Sequence, residues 1–357
     1  MALSSHHRRF FHLGVGVLGS GIALWWSLRG VKWNEVLTAL AQVRWGLIPL
    51  LVFTFWAHCR VRAYRWRYLL PPPHQAAPPD LFDGLIIGNL CTFLLPLRAG
   101  EFIRPYLVSR RGTYPYPACL ASVVVERFFD LSSVLLCFGL VASHFSALPF
   151  WVYRGAQGLG ILAVSLLVGI VVGAFFRGTV IAIVRRLFGL FGEHWRERFV
   201  KIVDELLCAA ASLRNLDALA KVLAATVFVW GSTFLSYYLF IAMVPTVTPS
   251  VTMSVAMTVI VALAVAAPSA PGFLGVYQAG CVGALDLFGV PTEDAIVIAL
   301  VSHALQYLMV LGFGLCSLRR QGVGWGELRQ RVSGEESPID VVKELGKGLP
   351  GHEGARR

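Results

Sequence analysis

Long apolar runs, separated by short stretches rich in arginine, proline and glycine, set the pattern of this chain. Residues 10–28 carry no formal charge and close on Trp25 and Trp26 ahead of Arg29. This predicts a first membrane helix with an interfacial aromatic anchor, and no clean small-residue cleavage site follows it. A second span is expected over 46–66, ending in Arg60, Arg62, Arg65 and Arg67. The Pro-rich stretch at 71–80 reads as a loop outside the hydrocarbon. Residues 81–97 are apolar but fall short of the ~20 residues that cross a bilayer, and they hold Asp83, Asn89 and Pro96. The expectation is a re-entrant segment, with 71–80 and 105–115 on one face.

Spans are predicted over 118–143 and 155–176, the latter without a charged residue. Residues 177–221 mix eight Lys or Arg with acids and with Leu187, Phe188, Phe191, Trp195 and Phe199, a pattern of amphipathic helices on a membrane surface. From Val222 to Leu285, 64 residues pass without Asp, Glu, Lys or Arg. PTVTPS at 245–250 and AAPSAPG at 266–272 divide them into spans near 222–244 and 250–267 and an apolar piece at 273–289. A last span is expected over 292–318, and then a polar tail, 319–357.

Composition agrees with that pattern. Of 357 residues 56% are apolar and 14% charged, against roughly 25% charged in an average soluble domain, and the mean hydropathy is +0.67. An ordinary soluble enzyme, a disordered chain and a fibrous repeat are excluded. The fold expected is an all-α polytopic integral membrane protein of about seven to nine membrane segments, some re-entrant or broken. One membrane domain, 1–318, would sit in a cell inner or plasma membrane as a multi-pass protein.

Thirty-one basic residues against 20 acidic give a net charge of +11. The basic residues lie beside apolar runs, where anionic headgroups and membrane orientation explain them better than nucleic acid does. The eight cations of 177–221 place that stretch in the cytoplasm. The arginines of 98–111 share that side if 118–176 crosses out and back, and the N-terminus does so if 81–97 is re-entrant. Seven cysteines, nearly all inside apolar runs, form no paired or zinc-spaced pattern and read as buried small side chains. No metal, cofactor or nucleotide-binding motif is present in the sequence.

Three constellations carry candidate chemistry. Glu126, Arg127 and Asp130 lie inside the expected span 118–143, where each charge costs about 2.5–3.5 kcal/mol. Glu126 and Asp130 are four apart and share a helix face, and Asp130 lies about 18 Å from Ala118, near mid-membrane. They form either an internal ion pair that fixes packing or part of a polar substrate path. The second constellation, at 89–106, has a break at Pro96 and Gly100 beside Arg98, Glu101 and Arg104. Free amides and guanidinium groups there suit a phosphate, and headgroup anchoring is the alternative. The third, APSAPGFLGVYQAG at 267–280, carries Gly272, Gly275, Tyr277 and Gln278, and its break at 268–275 is expected to supply free backbone amides. Pro96–Gly100 and Pro271–Gly275 share the spacing P-x-x-x-G, one in each half, as inverted repeats around a common site would require. His303 and Gln306 read as helix–helix hydrogen bonds.

On RWRYLL at 65–70, GNLCTFLLPLRAGEFIRPYLVSRR at 88–111, SVVVERFFDL at 122–131, APGFLGVYQAG at 270–280 and FGVP at 288–291, the chain resembles the lysylphosphatidylglycerol synthase transmembrane family. The resemblance covers most of 10–318. It implies a flippase-like membrane domain that moves an anionic phospholipid or lipid-linked precursor. It places Arg98, Glu101 and Arg104 in a first motif, Glu126, Arg127 and Asp130 in a second, and Gly272, Gly275, Tyr277 and Gln278 in a third. In aminoacyl-phosphatidylglycerol synthases such a domain precedes a soluble aminoacyltransferase domain, for which the 39 residues after 318 leave no room. The competing readings are a membrane transferase acting on a lipid phosphate, with Glu126 or Asp130 as base, and a scaffold for lipid-synthesis enzymes. The expected partners are membrane lipids.

Overall fold

The computed structural model describes residues 5–72, 76–95, 98–142, 150–189, 192–266 and 269–322. Every regular element among them is helical: α1 (Ser5–Leu28), α2 (Trp33–Ala41), α3 (Ile48–Leu69), α4 (Pro78–Leu94), α5 (Gly100–Ser109), α6 (Tyr116–Ala142), α7 (Phe150–Phe175), α8 (Arg177–Gly189), α9 (Glu193–Ala209), α10 (Leu216–Ala242), α11 (Val251–Ala266), α12 (Val276–Asp286) and α13 (Thr292–Gln321). The all-α expectation holds. The boundaries follow local chemistry: Asn215 caps α10 by accepting from the Asp217 amide at 2.9 Å, and Gly322, at φ 62°, ends α13 in the left-handed conformation that glycine adopts without strain.

Two described helices, α10 and α13, are long and apolar enough to cross a membrane alone, or up to four if each bent pair counts as one span. The helices that miss this test have identifiable reasons. α6 carries three charges, and α11 has only 16 residues. α8 turns 110° from α7, as a helix leaving a span for the membrane surface does. Expected span 292–318 runs on to Gln321, and the tail beyond 322 lies outside the described residues, as do Pro96 and Pro268.

Two helical hairpins organise the interior. α4 and α5 pack against one another across the break at 95–99, and α11 and α12 across the break at 267–275. Their arms match: 17 and 10 residues in the first, 16 and 11 in the second. Close approach in the first depends on Gly100, where a Cβ would collide with the Gly88 carbonyl and Thr92 Oγ1. Its open end closes on itself, since Arg111 stands 3.4 Å from Asp80. The hairpin therefore returns to the end of the bundle from which it started, as re-entrance requires.

α13 measures both hairpins. Its C-terminal end meets the open end of the first: Gln321 Nε2 donates to Asp80 at 3.2 Å and Ser317 to Asp83 at 2.8 Å. Its N-terminal end lies beside the second, where Asp294 accepts from Thr246 at 2.8 Å. Thirty residues make about 45 Å of helix, so the hairpins enter from opposite ends. Midway along, the Tyr307 ring lies 5.1 Å from Phe93 of the first hairpin, and a Cβ on Gly272 of the second would fall on the Tyr307 hydroxyl. Phe93 and Phe273 pack edge to face at 5.5 Å. The two breaks meet near the middle of the bundle.

The short turn after α9 lies at the same end as the first hairpin's opening, with Ser212 Oγ donating to the Tyr68 carbonyl at the end of α3. The turn after α9 thus shares an end with Arg110 and Arg111, whereas Arg98 and Arg104 of the same stretch lie deeper, at the break and in the interior.

Candidate functional site

Glu126 is fully buried, at 0% exposure, and arginines from three helices surround it. From α3, Arg62 Nε donates to Glu126 Oε1 at 2.8 Å and Arg65 Nη2 at 3.1 Å. Arg65 Nη2 also donates to Asp130 Oδ1 at 2.7 Å, and its Nη1 donates to Thr226 Oγ1 at 3.2 Å. From α5, Arg104 Nη2 lies 2.8 Å from Glu126 Oε2, an ion pair by distance in which neither atom meets hydrogen-bond angles. From α6 itself, Arg127 lies 3.6 Å from Asp130 and 4.0 Å from Glu126.

These positions follow from helix geometry. Arg62 and Arg65 are three apart and share a face of α3, as Glu126 and Asp130, four apart, share a face of α6. Trp66 fixes the third wall. Its indole donates to Ser122 at 2.9 Å, and the Arg104 guanidinium lies 3.8 Å above its ring, a desolvated cation–π contact. Gly88 allows α5 to approach, because a Cβ there would press on Arg104 Cβ.

The electrostatics of the cluster are unbalanced. Four guanidinium groups face two carboxylates, which leaves a net charge of +2. Arg65 Nε, Arg104 Nε and Arg127 Nε are buried without a hydrogen bond among the described residues. Burying unbalanced charge is expensive, and unpaired guanidinium donors in a low-dielectric setting attract an oxyanion. The cluster reaches the surface on the Arg127 side, where that side chain is 41% exposed, whereas Glu126 and Arg65 are sealed.

Arg98 and Glu101 stand at the first break, 3.9 Å apart. Arg98 leaves its own hairpin: Nη2 donates to the carbonyl of Val265 in the last turn of α11, and the guanidinium lies 5.5 Å from the Phe273 ring. Such end-of-helix carbonyls lack helical partners and favour a cation. Arg98 (φ 54°) and Phe273 (φ 60°) are the non-glycine residues with positive φ among those described. Each break therefore holds one strained residue, and the two touch.

The third constellation is a closed neutral network. Gly275 N donates to Gln278 Oε1 at 2.8 Å, Gln278 Nε2 lies 2.9 Å from His303 Nδ1, and His303 Nε2 lies 2.9 Å from the Gly272 carbonyl. Tyr277 donates to Ser302 at 3.0 Å and accepts from Gln306 at 2.6 Å. His303 and Gln306 are helix–helix hydrogen bonds, as expected. The expectation of free amides at this break needs correction. Gly275 N is taken by Gln278, Ala270 N donates to Ser20 Oγ at 2.8 Å and Phe273 N donates to the Ala270 carbonyl at 3.0 Å. Buried donors seek partners inside the protein when no water is available, and here side chains of α1 and α12 supply them.

The structure thus joins Arg104, Glu126, Arg127 and Asp130 in one cluster, with Arg98 and Glu101 at the adjoining break and Gly272, Gly275, Tyr277 and Gln278 behind the opposite break. Sequence reasoning did not assign Arg62 and Arg65 to the site. The available signal was their spacing of three, which sets them on one face of α3.

Comparison with known proteins agrees with the fold. The family model described as "Lysylphosphatidylglycerol synthase TM region" matches residues 13–314. A curated protein named "Glycosyltransferase AglD", from Haloferax volcanii, is 29% identical over 109 residues, which is 30% of this chain and 18% of that protein. The chain therefore spans well under a third of that relative's length. No solved structure matches.

Proposed function

Since the chain belongs to the lysylphosphatidylglycerol synthase transmembrane family and its work is membrane- and lipid-related, we propose that it moves an anionic phospholipid or lipid-linked precursor across the bilayer. The observation that carries this reading is the buried cluster of Arg62, Arg65, Arg104 and Arg127 around Glu126 and Asp130, with its net charge of +2. A phosphate headgroup loses its water on entering an apolar slab, and only positive groups with free donors offset that loss. Arg98, at the meeting of the two breaks, meets the headgroup first. Glu101 holds Arg98 until then, and Arg104 and Arg127 receive the phosphate. Gly272, Gly275, Tyr277 and Gln278 shape the opposing wall. Acyl chains stay in the bilayer while the headgroup passes.

A transferase needs a carboxylate free to take a proton. Glu126 and Asp130 are both held by arginines, which favours transport over that reading.

The test is movement of fluorescent phosphatidylglycerol between leaflets of proteoliposomes, with equal amounts of folded variant. Loss of movement in Arg104→Gln, with a neutral-headgroup lipid unmoved by either protein, is the expected result. Full movement in Arg104→Gln would overturn the reading.

A further inference from the structure

Two histidines have described side chains, His58 on α3 and His303 on α13, and hydrogen-bond accounting separates them. His303 Nε2 faces the Gly272 carbonyl at 2.9 Å; a carbonyl only accepts, so Nε2 carries the proton. Its Nδ1 faces Gln278 Nε2 at 2.9 Å, and the orientation of that amide is set by Gly275 N donating to Oε1. The amide donates, so Nδ1 is bare. Both nitrogens are committed, and a second proton would set one N–H against another.

His58 is different. Its Nδ1 lies 3.0 Å from Ser232 Oγ and 3.5 Å from Thr233 Oγ1. Each hydroxyl places its own proton on the Val229 carbonyl, both at 2.8 Å. The hydroxyl oxygens can then only accept, so Nδ1 bears the hydrogen. Nε2 keeps an open lone pair, with no hydrogen bond to it among the described residues.

The position of that lone pair matters. His58 precedes Arg62 by one helical turn and Arg65 by two, on the same face of α3. The charges within its electrostatic reach are Arg62 and Arg65 from α3 and Asp130 from α6. From α10 it meets the hydroxyls of Ser232 and Thr233 and the backbone of Val229. Two of the three charges are cations that hold Glu126, the centre of the proposed anion site.

We infer that His58 takes up a proton when the arginine cluster binds its anion, so that lipid movement is coupled to proton movement. The inference rests on the anion reading above. The logic is reciprocal: an added negative charge beside His58 favours imidazolium, and imidazolium favours the negative charge by the same factor. The balance is a proton from water onto Nε2, about a quarter to a half of a proton per anion at most for a three- to tenfold coupling, returned to water when the anion leaves. At an effective dielectric of about 20, a unit charge roughly 12–25 Å away changes affinity about three- to tenfold.

The experiment measures binding of dihexanoyl phosphatidylglycerol to the purified full chain in neutral detergent between pH 4.5 and 8. Its phosphodiester keeps one negative charge throughout. Wild-type affinity is expected to rise as pH falls, and binding in weakly buffered solution is expected to take up protons. His58→Gln should remove both effects and bind as the wild type does at pH 8. His58→Lys, with a fixed charge, should bind tightly across the range, which keeps the test decisive if the glutamine variant does not fold. An unchanged pH slope in His58→Gln, or wild-type binding without proton uptake, would overturn the coupling while leaving the anion site intact. Absence of wild-type binding, or full binding in Arg104→Gln, would overturn the anion site itself and the coupling with it.

Discussion

Arg98 donates across 167 residues of chain to the carbonyl of Val265, and in doing so ties the tip of one hairpin to the last turn of the helix that leads into the other. That contact makes two sequence motifs, one in each half, parts of a single place. It also occupies the guanidinium proposed to meet the headgroup first, so ligand and Val265 compete for one side chain.

Replacing Arg98 with alanine is expected to slow lipid movement at least tenfold without loss of folded protein. Arg98→Lys should recover only part of the rate, since an ammonium lacks the paired donors of guanidinium. The measurement is leaflet exchange in proteoliposomes at matched protein. Equal rates for wild type and Arg98→Ala would remove Arg98 from the path.

Phe93 and Phe273 lie with ring centroids 5.5 Å apart. In a background without the native cysteines, Phe93→Cys with Phe273→Cys should cross-link through a short bifunctional reagent in native membranes. The cross-link should stop lipid exchange if the tips must part. No cross-link under conditions that label each cysteine singly would separate the two breaks.

Ala77 and Thr113 flank the first hairpin at its open end, and Asp286 ends the second. Ala77→Cys and Thr113→Cys should react with an impermeant maleimide from one side of sealed vesicles, and Asp286→Cys from the other. Opposite sidedness of the first pair would make 81–97 a full span.

Glu126→Ala leaves buried arginines without their shared partner. Loss of one member of a buried pair costs about 3–5 kcal/mol, seen as a large drop in the thermal midpoint in detergent. Adding Arg104→Ala should return part of that loss, because it removes one uncompensated charge. A double variant no more stable than Glu126→Ala would show that Arg104 and Glu126 are not coupled.

Gly100→Ala places a methyl on the Gly88 carbonyl and Thr92. Overpacking of this kind costs about 1–3 kcal/mol, and against backbone the upper end is expected. Gly46, with open space around it, provides the control: Gly46→Ala should express at wild-type levels while Gly100→Ala should not.

The apolar runs, by themselves, determined that this is a helical membrane chain, because a 64-residue stretch without charge has no stable place in water. Proline and glycine at 96–100 and 268–275 marked the breaks, since both residues interrupt the helical hydrogen-bond ladder. The intramembrane charges Glu126, Arg127 and Asp130 were legible for a similar reason: their cost demands partners. Which partners they found was not legible. Arg62 and Arg65 sit some 60 residues before Glu126 in the chain, and in the sequence they resemble any cationic end of a span. Only the packing of α3 on α6 turns them inward. The amides of the second break read as free because a broken helix exposes them, yet Ser20 and Gln278 reach them. Periodicity and breaks are local properties, carried by neighbours a few residues apart. The meeting of the hairpin tips and the excess charge around Glu126 depend on distances between helices, which the sequence order does not specify.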